Sequence, residues 1–284
     1  MITDYSVLMS LYVKEKPEYL IESLESMLQQ TILPKQIVIV LDGEITSELQ
    51  VVINKYKLSN PNLFSIVPLE QNIGLGLALN KGLEYCEFEL IARMDTDDIS
   101  YPERCELQLA EFNNHPELDI VGTLTSEFFE SPDKIQSIRI VPENHEEILK
   151  FSRRRSPFNH PTVMYRKSSI QAVGGYRDIL RKEDLDLFAR MLENGCKTKN
   201  IQKELLYFRS NKDNYKRRKS WTNNSNYIKV IYKFWRRGYS SLWDLLYVTF
   251  AQIGMYIAPT WLLKYISDSI LRKKHNITGV EKND

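Results

Sequence analysis

Leu90–Ser100 reads LIARMDTDDIS, an apolar run that ends in three carboxylates within four positions, Asp95, Asp97 and Asp98. In extended backbone, residues two apart point the same way, so Asp95 and Asp97 can converge on one ligand. Like charges this close are unfavourable unless a cation neutralises them. Hard divalent ions take oxygen ligands, and Mg²⁺ or Mn²⁺ is typically held by one or two carboxylates plus substrate phosphates. An isolated D-x-D can equally be a solvated turn, and an Asp at a strand-to-helix junction can cap the helix. Here the acids follow a buried strand and Arg93 sits beside them, which favours the metal reading.

Outward from this stretch, short β-branched runs alternate with helical spacing. Strands are expected at Ser6–Tyr12, Gln36–Leu41 (QIVIVL), Phe64–Pro68 and Phe88–Met94. Helices are expected at Pro17–Gln30, Ser47–Lys57 and Leu75–Tyr85, where apolar residues recur at three- and four-residue intervals. Buried strands alternating with helices imply an α/β fold with a mostly parallel sheet and right-handed crossovers. Ligands bind such sheets at the carboxyl ends of the strands, where Asp42 and the Asp95–Asp98 cluster both fall. Beyond residue 110 the pattern is harder to follow. Ile120–Phe129, Lys134–Val141 and Pro161–Tyr165 read as strands, and Leu185–Glu193 reads as a helix closed by Gly195.

The 284 residues carry 38 basic and 37 acidic side chains, a net charge of +1 that argues against a surface built for nucleic acid. Three cysteines, Cys86, Cys105 and Cys196, are far apart and form no Cys-x-x-Cys pair, so neither a disulfide framework nor a structural zinc site is expected. The N-terminus lacks the basic region and apolar core of a signal peptide, so the body is expected in the cytoplasm. The near-neutral total conceals an asymmetry. Residues 207–240 hold ten Lys/Arg against one Asp, and the body before them is acidic.

Eight segments, in order, carry a resemblance: VLMSLY at 7–12, QQTILP at 29–34, IVIVLDG at 37–43, NIGLGLALNKGL at 72–83, IARMDTDD at 91–98, NHPTVMYR at 159–166, GGY at 174–176 and EDLDLFARMLENG at 183–195. Together they resemble the family 2 glycosyltransferases of GT-A fold, and among these the bacterial enzymes of O-antigen, capsule and exopolysaccharide synthesis. The resemblance covers roughly residues 5–210. It implies a catalytic domain at residues 1–215 and a basic, aromatic helical tail at 216–284. It also implies an inverting transfer of a hexose, with UDP-galactose or UDP-glucose as first guesses, to a saccharide carried on a polyprenyl diphosphate.

By the same resemblance, Asp97 is the direct ligand of Mn²⁺ or Mg²⁺, and Asp95 helps hold the metal or the ribose. Asp98 either joins them or caps a helix before Ser100-Tyr101-Pro102. Asp42 hydrogen-bonds the uracil ring, unless it only makes an Asp-Gly turn. Ser10 and Tyr12 form a wall for the base, Arg93 lies at the nucleotide-sugar site, and the loop with Asn72, Gly74, Gly76 and Asn80 holds the nucleotide. This loop is not a dinucleotide fingerprint, because Leu79 stands where a third Gly or Ala belongs. Asp184 of the Glu183-Asp184 pair is the expected catalytic base; without the resemblance, both acids would read as helix N-terminal decoration. His160 is expected on the acceptor side. Arg153-Arg154-Arg155 either grips a phosphate or forms a solvated face.

A nucleotidyltransferase of related fold would place a Gly-rich loop after the first strand, where this chain has SLYVKEKP. A non-catalytic saccharide-binding protein would not need Asp95, Asp97, Glu183 and Asp184 together. In the tail, Tyr215–Lys219, Trp221, Lys233, Trp235, Arg236 and Arg237 interleave cations and aromatics, and Leu245–Leu263 carries no charge before Arg272-Lys273-Lys274. Thr249, Gln252, Gly254, Pro259 and Thr260 dilute that run. The tail is therefore read as lying on the inner face of the cell membrane, with a single span or a buried bundle helix as the alternatives.

Overall fold

The sheet grows from β1 (Tyr5–Leu11). In the computed structural model, which describes residues 2–210 and 220–258, β1 pairs in parallel with β2 (Gln36–Leu41) on one side and β4 (Leu90–Arg93) on the other. β3 (Phe64–Pro68) adds in parallel to β2. The crossovers are α1 (Pro17–Leu28), α2 (Ser47–Ser59) and α3 (Leu75–Tyr85). They cover both faces, which is why every residue of β2 is buried and QIVIVL shows no alternation. Along β1 the side chains still divide by face. Val7, Met9 and Leu11 pack with Leu20 and Leu24 of α1, whereas Leu8 joins Val38 and Val40 against Ala78, Leu79 and Leu83 of α3.

Past β4 the strands change direction. β8 (Met164–Arg166) runs antiparallel to both β4 and β6 (Leu118–Phe128). β9 (Lys197–Arg209) is parallel to β6, and the two-residue β5 (Ile99–Ser100) pairs antiparallel with β9 at the edge. β7 (Ile135–Arg139) lies antiparallel on β6, off the main order β3-β2-β1-β4-β8-β6-β9-β5. The expected mostly parallel sheet is thus parallel in its first half and mixed in its second. The strand expected over Pro161–Tyr165 begins only at Met164. His160–Thr162 form a 3₁₀ turn instead, because Pro161 has no N–H to give to a ladder.

Four helices pad the second half: α4 (Arg104–Asn114), α5 (His145–Ser152), α6 (Lys167–Ala172) and α7 (Glu183–Glu193). α8 (Trp221–Arg236) and α9 (Leu242–Ile257) then form a hairpin. Ser220 caps α8, and Ser241 with Asp244 makes a capping box on α9. Val230, Ile231, Phe234 and Val248 of this hairpin pack on Leu185 and Ala189 of α7. The start of the expected tail is therefore docked on the body that carries the sheet. The expected boundary at 215/216, the Tyr215–Lys219 segment, residues 259–263 and Arg272–Lys274 lie outside the described residues. Among the described residues, no helix is long and apolar enough to cross a membrane.

Candidate active site

β1, β2 and β4 all end on the same edge, and the acid cluster stands there. One carboxylate oxygen from each of Asp95, Asp97 and Asp98 lies within 4.8 Å of the others. The segment is fixed by its backbone. Ser23 Oγ donates to the Asp95 carbonyl (2.8 Å), and Arg209 Nε donates to the Asp97 carbonyl (2.8 Å). Arg93 is buried and ion-pairs with Asp95. Burial, with Asp95 and Glu15 adding repulsion, pushes the Asp97 carboxyl up to about 7 against the pull of Arg93. Burial, with Asp97 and Asp95 adding repulsion, holds Asp98 well above the usual carboxylate range.

The alternative of Asp98 as a helix cap fails. α4 starts at Arg104, and Asp98 Oδ1 accepts from the backbone N–H of Arg209 (2.8 Å). Its Oδ2 is buried without a hydrogen-bond partner among the described residues. An orphaned buried carboxylate oxygen beside two further acids fits a hard divalent cation, since such an ion would satisfy that oxygen and cancel the repulsion.

At the end of β2, Asp42 is buried and organises the neighbouring loop. Its carboxylate accepts from Asn72 Nδ2 (2.9 Å), from the Ile73 N–H (2.7 Å) and from the Gly74 N–H (3.2 Å). Three of its four lone-pair positions are therefore used by residues 72–74. Gly43 lets this happen. Its φ is +86°, and a Cβ there would sit 2.7 Å from the Asn72 backbone nitrogen. Ser10 is half-buried at the end of β1, and Tyr12 beyond it is exposed.

Asn80 contributes differently from expectation. Its amide clamps one backbone, accepting from the Tyr176 N–H (2.7 Å) and donating to the Tyr176 carbonyl (2.7 Å). This fixes the Gly174-Gly175-Tyr176 turn onto α3. Arg190 of α7 holds the other side of that turn through the Gly175 carbonyl (2.7 Å) and is itself held by the buried Asp186 (2.7 Å). Gly76 opens the room between α3 and α7, where an added Cβ would meet the Glu183 Cβ at 3.1 Å.

Glu183 and Asp184 start α7. Burial, then repulsion from Asp184, pushes the Glu183 carboxyl up to about 7, and its Oε2 has no partner among the described residues. His160 Nε2 is 2.8 Å from Tyr176 Oη, and its ring packs edge-on to Phe188. Burial and the nearby Arg93 hold its imidazole well below the usual range, so it is neutral at physiological pH.

Arg209, at the end of β9, is the site residue that the sequence did not single out. Besides its two bonds to the acid cluster, it ion-pairs with Glu22 and stacks over the Tyr19 ring at 4.0 Å. Glu15 is a second one. It accepts from Thr96 Oγ1 (3.0 Å) and adds to the negative potential at Asp97.

Residues 6–174 match the family described as Glycosyl transferase family 2. The UDP-Gal:alpha-D-GlcNAc-diphosphoundecaprenol beta-1,3-galactosyltransferase of Escherichia coli is 37% identical over 95% of this chain and 97% of its own length. An uncharacterized glycosyltransferase of Haemophilus influenzae is 38% identical over 95% of this chain and 99% of its own length. The amylovoran biosynthesis glycosyltransferase AmsE of Erwinia amylovora is 40% identical over 82% of this chain and 84% of its own length. Among solved structures, the mannosyltransferase PcManGT of Pyrobaculum calidifontis, in complex with GDP-Man and Mn²⁺, superposes with a TM-score of 0.62 at 15% identity, over 92% of this chain and 72% of that one. That likeness carries the fold, a GT-A arrangement, and the sequence matches carry the rest: the chain is a glycosyltransferase and belongs to glycosyl transferase family 2.

Proposed function

We propose that this enzyme moves a hexose from a UDP-sugar, UDP-galactose first, onto a saccharide carried on a polyprenyl diphosphate, with inversion, in the synthesis of a bacterial surface polysaccharide. The observation that carries the reading is the set of three carboxylates within 4.8 Å at the end of β4, beside a buried arginine. The E. coli relative, whose name gives a UDP-Gal donor and a diphosphoundecaprenol-linked GlcNAc, supports both substrates. AmsE supports the polysaccharide setting.

Asp95, Asp97 and Asp98 would hold Mn²⁺ or Mg²⁺, which supplies neutralising charge to a diphosphate leaving group. Arg93 holds Asp95 in place through their ion pair. Asp42 and the 72–74 loop form one rigid unit against the nucleotide, and the free lone pair of Asp42 suits an imide N–H. The acceptor hydroxyl attacks the anomeric carbon as its proton passes to Asp184, and the bond from that carbon to the diphosphate breaks. One base and one displacement give inversion. A second reading has its own support: the orphaned Glu183 Oε2, on a carboxyl already near neutral pKa, suits the proton-accepting role. His160 is read as a neutral wall residue on the acceptor side.

The test is UDP release by purified enzyme with Mn²⁺, a panel of UDP-sugars and a synthetic lipid-diphosphate GlcNAc acceptor. Acceptor-dependent release with UDP-galactose, lost on adding EDTA, is expected. Consumption of no UDP-sugar, with or without metal, overturns the reading.

The same reading sets the enzyme on an anionic membrane. Support comes from α9, whose Trp243, Leu246, Tyr247, Phe250, Ile253 and Ile257 follow helical spacing and are 36 to 77% exposed. Asp244, Val248 and Gln252 occupy the opposite, buried side. A 16-residue helix with this split suits the plane of the interface. Burying a Trp and a Phe is worth about 3 kcal/mol or more together. Replacing Trp243 and Phe250 by Ser is therefore expected to weaken cosedimentation with phosphatidylglycerol vesicles at least about tenfold, with UDP-sugar hydrolysis unchanged. Equal partitioning of variant and wild type would refute the membrane role.

A further inference from the structure

Arg209 ends β9 at the acid edge, yet its side chain pairs with none of the three acids there. Its Nε donates to the main-chain carbonyl of Asp97 (2.8 Å), and its guanidinium ion-pairs with Glu22 of α1. Its own N–H donates to Asp98 Oδ1 (2.8 Å). Asp95 has Arg93 as its ion-pair partner, whereas Asp97 and Asp98 have none among the described residues.

The guanidinium is held from several directions. It touches the rings of Tyr19 (4.0 Å to the centre) and Phe128 (4.6 Å), and only 8% of the side chain is exposed. The strand behind it is pinned as well. Phe128 stands opposite Arg209 in the β6–β9 ladder, and the next N–H, that of Ser210, donates to the Phe128 carbonyl (2.8 Å). From α1, Ser23 Oγ donates to the Asp95 carbonyl (2.8 Å). Side chains of α1 and β9 thus each hold one carbonyl of the acid segment, and the two elements meet at the Glu22–Arg209 pair.

Acids that share one ion must be kept close against their own repulsion. A cation bound directly to their carboxylates would relieve the repulsion but occupy the oxygens that the ion needs. A donor to the peptide carbonyl holds the backbone and leaves those oxygens free. A planar guanidinium can serve a carbonyl and a carboxylate in fixed directions at once, which the point charge of an ammonium does not do. Glu22 balances the charge that Arg209 brings near the site. Outer groups that orient metal ligands typically change metal affinity by about 10- to 100-fold.

We infer that Arg209, held by Glu22, is a positioning residue for the divalent-metal site: it fixes the backbone that carries Asp97 and Asp98 and so sets the metal affinity without touching the ion. This rests on the divalent-metal part of the function proposed above.

The experiment measures Mn²⁺ binding without substrate, by the paramagnetic resonance signal of the free ion. The full chain is compared with Arg209→Met, Arg209→Lys and Glu22→Gln in about 0.5 M KCl, where exposed charges are screened. Methionine keeps apolar bulk against the two rings and removes the side-chain donors, and the main-chain N–H to Asp98 remains. Charge alone predicts that Arg209→Met binds Mn²⁺ more tightly, because a cation has left. Positioning predicts the opposite, a loss of about tenfold or more. Lysine restores the charge and not the fork, so it should not rescue the affinity. Glu22→Gln, at an exposed position, should lose affinity in the same direction by a smaller factor. A cooperative melt in EDTA reports that each variant is folded. Unchanged or tighter Mn²⁺ binding by Arg209→Met, or full rescue by Arg209→Lys, would overturn the positioning role. Should the Arg209 variants not fold, wild-type affinity in Glu22→Gln would overturn it. A wild-type protein that binds no Mn²⁺ would remove the metal reading and this inference with it. The expected affinities in an enzyme that transfers no sugar would instead refute the proposed function and leave the positioning role standing.

Discussion

Asp97→Asn is expected to lower sugar transfer about a thousandfold or more while making the metal-free protein more heat-stable. Both effects come from one cause. One carboxylate oxygen of each of Asp95, Asp97 and Asp98 lies within 4.8 Å of the others, and burial denies Asp97 and Asp98 much of the water that would screen them. Removing one charge relieves that repulsion, so the metal-free variant melts higher. The same charge is needed where negative charge gathers on a departing diphosphate. Metal-assisted stabilisation there is worth several kcal/mol, and about 1.4 kcal/mol corresponds to each tenfold of rate. Melting curves with and without MnCl₂ separate the two states. Wild type should gain several degrees on adding Mn²⁺, and Asp97→Asn should gain little. Asp98→Asn should likewise respond little to Mn²⁺, because the orphaned Oδ2 is then no longer a carboxylate oxygen able to ligate the ion. An Asp97→Asn protein that melts as wild type in EDTA and responds equally to Mn²⁺ would remove the charge-cluster account of this site.

The half of the fold that builds this edge was legible because its physics is local. QIVIVL and LIAR are buried on both faces and stand out as apolar runs. The α3 pattern over Leu75–Tyr85 coincides with the observed helix because one face meets β1 and β2. The second half was less legible. β9 is the longest strand, yet Lys197–Arg209 reads KTKNIQKELLYFR, with polar Thr198 and Asn200 among its buried residues. Asn200 is buried because its amide serves the carbonyls of Pro142 (2.6 Å) and Pro157 (3.0 Å), contacts that no local pattern announces.

Missing β9 meant missing Arg209, whose role exists only because the chain returns 111 positions after Asp98. The sequence singled out the acids, Asp42, the Asn72–Asn80 loop, His160 and the Glu183-Asp184 pair. Their partners were not. That Asn80 spends its amide on Tyr176 and Asp42 spends most of its carboxylate on residues 72–74 depends on tertiary geometry. The sequence places Asp42 and Asp95–Asp98 at strand ends and does not say which bonds these side chains have left. The tail illustrates the same limit from the other side. The aromatic, charge-free run was visible, but only packing on Leu185 and Ala189 decides which face of α9 is covered and which is open.

Glu183→Gln is expected to stabilise the protein at alkaline pH and to flatten the acid limb of its rate profile. The sign follows from proton binding. A carboxyl of ordinary pKa 4.5 in the unfolded chain is raised to about 7 in the folded one by burial and by Asp184. Between those values the folded state binds more protons than the unfolded state, so this group's contribution to stability falls as pH rises through the interval and is lowest above it. At about 1.4 kcal/mol per pH unit the penalty reaches roughly 3 kcal/mol. Glutamine keeps the shape without the titration. Its melting temperature should therefore match wild type near pH 4.5 and exceed it by several degrees at pH 8. In the wild-type enzyme kcat/KM should climb as pH rises through about 7, because the ionised pair must accept the acceptor's proton. Asp184→Asn completes the test. If Asp184 takes the proton, this variant loses transfer by about a thousandfold and keeps UDP affinity, whereas Glu183→Gln retains a pH-independent remnant of activity. If the deeper loss belongs to Glu183→Gln, the base is Glu183. A melting difference that does not change between pH 4.5 and 8 would mean that Glu183 is ionised throughout, and the tuned-carboxylate account would fall with it.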